Sequence, residues 1–115
     1  MKQTVFFQVL SDETRLRAMS LMADEGELCV CELVHALELP QPKVSRHLAT
    51  MREAGVLVQR RHAQWMFYRI DPELPDWQAR AISAAIDGVR DEAIIRQDIK
   101  RLKAMRNRPE RCDAA

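Results

Sequence analysis

At 115 residues the chain has room for one domain with one modest core. Its composition, 47% apolar and 30% charged, is that of a water-soluble globular protein, and no apolar run nears the roughly 20 residues needed to cross a bilayer. The total charge of only +1 excludes a uniformly basic or acidic chain, and three cysteines, an odd number, argue against a disulfide framework and for free thiols.

The small net charge hides a segregation along the chain. Residues 1–40 carry a net −4, residues 41–70 a net +5, residues 71–95 a net −4 and residues 96–111 a net +5. A basic block centred on one structural unit points to a polyanion partner for that unit. The start, MKQTVFFQVL, lacks the long apolar stretch and cleavage site of a signal peptide, so the chain is expected in the cytoplasm.

TVFFQVL predicts a short first helix. SDETRLRAMSLMADEG predicts a second, with Ser11 or Asp12 as cap and Gly26 as stop, apolar nearly all round and hence central. A third is expected from about Cys31 to Leu37, ended by Pro40. In QPKVSRHLATMREAG, Pro42 in the first turn and Gly55 past the end frame a fourth. There Val44, Leu48 and Met51 form the buried stripe, leaving Lys43, Ser45, Arg46 and Thr50 on the outward arc, with His47 on the border as either a satisfied boundary residue or a contact.

After Gly55 the period becomes strand-like. VLVQRR and QWMFYRI, separated by His62 and Ala63, read as a hairpin that must pack on the helices. From about Asp76 to Arg106 a long helix is expected, its stripe of Ile82, Ile86, Val89 and Ala93 followed by a second, Ile95, Ile99 and Leu102, half a turn away, so that the helix bends or its halves pack on different partners. Leftover apolar surface on terminal helices suggests a dimer interface. Residues 1–106 thus make the domain, and residues 107–115 a frayed tail that contains Cys112.

The fold class is therefore mainly α with a β-hairpin wing, a winged helix-turn-helix that dimerises through its terminal helices. The basic fourth helix would enter the major groove of operator DNA through Gln41, Lys43, Ser45, Arg46, His47 and Thr50. Arg60, Arg61 and Arg69 of the wing would reach flanking phosphates or the minor groove. No nucleophile and base stand at a recognisable spacing and no phosphate-binding glycine loop is present, which argues against an enzyme.

LSDETRLRAMSLM, GELCVCEL, QPKVSRHLATMREAGVLVQRR and QWMFYRI follow one another in unbroken order over about residues 5–75. Together they resemble the ArsR/SmtB family of metal- and metalloid-responsive repressors, with ELCVCEL similar to the arsenic-sensing branch. The resemblance implies a homodimer that blocks a promoter until As(III), and as a second metalloid Sb(III), binds cysteine thiolates. It points to Cys29 and Cys31, soft ligands for a soft ion. Two positions apart in a regular helix their side chains would diverge, so the pair is expected to straddle a helix start, where the helix dipole favours thiolate and where a ligand gripping both would reshape the helix.

The alternatives are two small buried hydrophobes, or a disulfide, which bridging i to i+2 disfavours. The arsenic-sensing pattern carries a further cysteine where this chain has Val34. The third ligand is then Cys112, a small external thiol, or none. Cys112 as a bystander and His35 as a structural residue stay open beside their ligand roles. A thiol redox switch and a Cd-, Pb- or Zn-responsive repressor of the same fold are the rival functions. The former oxidises the pair, and the latter lacks N-terminal cysteines or histidines on residues 76–106 to complete its sites.

Overall fold

The computed structural model describes residues 1–110. Six helices surround a small sheet in the order α1 (Lys2–Leu10), α2 (Glu13–Glu25), β1 (Leu28–Cys29), α3 (Val30–Leu37), α4 (Gln41–Glu53), β2 (Leu57–His62), β3 (Trp65–Ile70), α5 (Asp76–Val89) and α6 (Ala93–Ala104). Cys112 lies outside the described residues.

Helix α2 starts where Asp12 accepts the backbone N–H of Arg15 at 3.0 Å and stops at Gly26, whose φ of 89° only glycine adopts freely. Thr14, Arg17, Ala18, Met19, Ser20, Leu21 and Met22 are all buried, so α2 is the central helix expected. Around it Leu33 and Leu37 of α3, Val44, Leu48 and Met51 of α4, and Leu102 of α6 close one core.

The sheet has three antiparallel strands in the order β1-β3-β2. The hairpin was legible, with one shift: Ala63 and Gln64, not His62 and Ala63, form its turn, because His62 still pairs with Trp65 and Ala63 takes the positive φ of 55°. β1 is the addition. Two residues are too short to show a strand period, yet Leu28 pairs with Tyr68 and Cys29 with Phe67, tying the start of α3 to the wing.

The single C-terminal helix expected over 76–106 is two. The chain leaves helical geometry after Arg90 and restarts with Glu92 as N-cap, φ −67° and ψ 136°. The displaced stripes explain the break: Ile82 is buried by α5 while Ile95 and Leu102 are buried by α6, and no straight helix aims both inward. Broken there, α6 turns back onto α2 and α3. Nor does contact end at residue 106, since Arg108 bridges Glu25 and Glu32 and Pro109 is buried.

Candidate thiol site and nucleic-acid interface

Cys29 is at once the last residue of β1 and the N-cap of α3, with extended backbone (φ −86°, ψ 165°). Cys31 sits in the first turn. This change of backbone direction between them brings their Cα atoms to 5.5 Å and their sulfurs together, joined as a disulfide. The straddled helix start is as expected, its extended N-cap cancelling the divergence of two helical positions, and the bridge that i to i+2 spacing disfavours is present. The two sulfurs thus already meet at the start of α3 before any ligand is held. Cys29 is buried and Cys31 half-buried.

Around the pair, Glu32 is the residue that sequence reading missed. Its side chain, 0% exposed, accepts the Cys29 N–H at 2.9 Å, while the Cys29 sulfur, a poor acceptor, faces the Glu32 N–H in the weaker half of a capping box. A cap followed three residues later by Glu is the box's spacing, so the signal was there with Cys in the place of Ser.

An open cavity of about 590 Å³ adjoins the sulfurs. Val30, Val34 and His35 line it from α3, Gln41 from the start of α4, and Gln64, Trp65 and Met66 from the tip of the wing. Val34 thus faces the same space as the cysteines. Among the described residues no group of three His, Cys, Asp or Glu side chains is placed to hold a metal ion.

The α4 face is as expected: Gln41, Lys43, Ser45, Arg46 and Thr50 are exposed while Val44, Leu48 and Met51 are buried. On the wing the three arginines divide. Directly paired residues share a face, so Arg60, opposite Phe67, and Arg69, opposite Val58, lie on one side and Arg61, opposite Met66, on the other. Arg60 is exposed but already paired. It donates two 2.7 Å hydrogen bonds to Glu27 and stacks over the Phe67 ring at 5.2 Å. Arg61 and Arg69 remain exposed.

Residues 12–58 match the family described as bacterial regulatory protein, arsR family. Over 106 residues, 92% of this chain and 81% of the other, the sequence is 49% identical to the arsenic resistance transcriptional regulator ArsR1 of Pseudomonas putida. The chain belongs to the arsR family of bacterial regulatory proteins. It is likewise 49% identical to the arsenical resistance operon repressor of Escherichia coli over 79 residues, 69% of this chain and 68% of that one. Among solved structures the AntR antimony-specific transcriptional repressor superposes with a TM-score of 0.63 at 27% identity, over 76% of this chain and 77% of that one. The winged helix-turn-helix is thus the fold, and this arsR-family chain is a DNA-binding regulator, not an enzyme.

His47 of the arsR-family chain is tied down from α2. The Arg15 guanidinium donates to its Nδ1 at 3.2 Å, which fixes that nitrogen as acceptor and puts the proton on Nε2, and Asp12 lies 3.9 Å from Nδ1. Burial, opposed by Asp12 and reinforced by Arg15, Lys43 and Arg46, holds the imidazole below its ordinary value of 6.5. The unfolded chain therefore binds the proton more readily, and stability contributed by neutral His47 is present above 6.5 and declines as pH falls below it. Thermal melts at pH 7 and pH 5 should show a smaller acid-induced drop in His47→Gln than in the parent.

Proposed function

We propose that this chain is a homodimeric repressor that holds operator DNA and releases it when trivalent arsenic, or as a second inducer trivalent antimony, is captured by Cys29 and Cys31. The observation that carries the reading is the convergence of two sulfurs at the N-cap of α3. The cavity beside them also touches α4 and the wing, so one small soft ligand would meet every element that faces DNA. The donor set fits: two sulfurs on one face suit a thiophilic ion, provided the disulfide is first reduced by two electrons. Cys112 is the proposed third thiolate. It lies four positions beyond Arg108, about 13 Å of extended chain at roughly 3.3 Å per residue, and Arg108 is anchored on Glu32 beside the pair.

In this reading α4 lies in the major groove with Gln41, Lys43, Ser45, Arg46 and Thr50 toward the DNA, while His47 acts chiefly by seating the helix on α2. Arg61 and Arg69 reach phosphates on either side of the wing, and Arg60 joins them only if it leaves Glu27. The dimer is supported by an apolar patch where α1 packs on α5: Val5 and Phe7 are about half exposed, and Trp77, 36% exposed, lies 5.1 Å edge-on from Phe6. The names of the relatives support arsenic as inducer, and that of the antimony repressor supports antimony.

The disulfide favours one second reading, a redox switch in which peroxide takes two electrons from the thiols and leaves as water. Both are tested on labelled operator DNA with protein reduced by a phosphine, which does not chelate arsenic. Arsenite should release the DNA under reductant, whereas release by peroxide alone would replace the first reading with the second. The same titration should weaken by roughly 10³–10⁵ between about 50 and 200 mM salt if about 6–10 phosphates are contacted.

A further inference from the structure

We propose that Arg108 is a positioning residue for inducer capture: anchored behind the thiol pair, it holds the start of α3 in the ligand-free, operator-binding geometry. The inference rests on the function proposed above and adds to it the group that opposes the inducer.

The contacts form a chain. The Cys29 backbone N–H donates to Glu32 Oε1 at 2.9 Å, Glu32 Oε2 accepts from Arg108 Nε, and the second arm of the same guanidinium donates to Glu25 Oε1 at 2.8 Å. Glu25 is the last residue of α2, so Arg108 fastens the N-terminus of the thiol helix to the end of the central helix. Glu32 is completely buried, and a buried carboxylate depends on its partners far more than an exposed one does. Burial works against the charge on Arg108, but its hydrogen bonds to Glu25 and Glu32 and the pull of both carboxylates outweigh it and raise the guanidinium further into its charged form.

The opposite end of α3 is held from α6 and from α2. Arg101 Nε donates to the Ala36 carbonyl at 2.8 Å and Arg17, seated on Asp98, to the Leu37 carbonyl at 2.9 Å. With both ends fixed, α3 cannot follow a ligand by drifting as a body. Once a reductant has supplied the two electrons that open the disulfide, an atom held by both sulfurs sets them farther apart than the bond did, which draws on the Cys29 backbone and through it on Glu32 and Arg108. Cutting the latch should ease capture and loosen the grip on DNA together, because coupling between two sites is reciprocal.

The test is Arg108→Ala in the full-length reduced protein, with arsenite affinity read from Trp65 and Trp77 fluorescence and operator affinity read by anisotropy without arsenite. The expected result is a shift of opposite sign: arsenite bound roughly tenfold more tightly and operator roughly tenfold more weakly. Arg108→Lys, which keeps a charge on Glu32, should fall between the variant and the parent. A merely destabilised fold would weaken both affinities. Shifts of the same sign, or no shift, overturn the latch while leaving the proposed function intact. A parent chain that binds no arsenite, or that keeps its operator when arsenite is bound, removes the proposed function and the latch with it.

Discussion

Cys29→Ser should produce a repressor that binds its operator normally and ignores arsenite. Serine removes the soft ligand but improves the helix start. A hydroxyl oxygen is a far better acceptor than sulfur for the Glu32 N–H, and Ser is among the preferred N-caps, so the strong half of the capping box, Glu32 accepting from residue 29, survives. Stability is expected within about 1 kcal/mol of the parent. If arsenite costs the parent about 3 kcal/mol of operator affinity, a weakening of roughly 150-fold, the variant should show less than about twofold. Cys31→Ser, which leaves the cap untouched, should give the same silence. Anisotropy titrations with and without arsenite, paired with urea melts, check both halves. A stable Cys29→Ser protein that still releases DNA fully with arsenite would take the thiol pair out of the mechanism.

What could be read from the chain and what could not divides along sequence distance. The α4 stripe of Val44, Leu48 and Met51, with its exposed polar arc, is a local period, and the sequence shows it directly. The straddled helix start at Cys29 and Cys31 was legible for the same reason, because the geometry of i and i+2 depends only on the backbone between them. The disulfide is the exception: linking i to i+2 is disfavoured as strained, and the chain forms the bridge nonetheless, across an extended N-cap. Beyond the local capping box of Cys29 and Glu32, what holds the site is non-local. Arg60 pairs with Glu27 across 33 positions, Arg108 with Glu32 across 76, and Arg17 with Asp98 across 81. Charge patterning could say that residues 41–70 are basic, but it could not say that one of those charges is already spoken for by Glu27 or that a charged tail residue is anchored in the core. The break at residues 90–92 stood between the two cases: the half-turn offset of the stripes announced it, and only the packing of α6 on α3 decided how it would be resolved.

The largest loss of stability is expected from Asp98→Ala. Asp98 is 1% exposed and accepts from both Nε and Nη2 of Arg17 at 2.8 Å, with a third hydrogen bond from Arg101 at 2.7 Å. The hydrogen bond to Asp98, set against desolvation, raises the Arg17 guanidinium further into its charged form. Removing the carboxylate strands that cation, itself 7% exposed, in the core, and breaking one side of such a pair costs about 3–5 kcal/mol. For a domain whose whole stability is about 5–15 kcal/mol this is a large fraction, visible as a drop in the urea midpoint with an unchanged slope. Arg17→Met with Asp98→Leu should recover part of it, since an apolar pair avoids the buried charge. Full recovery is not expected: the Leu37 carbonyl loses the Arg17 donor at 2.9 Å, and the end of α3 is left with Arg101 on Ala36. A double variant as stable as the parent yet with a weaker grip on operator DNA would mean that the arginine clamp serves the setting of α3 against α4 more than the stability of the core.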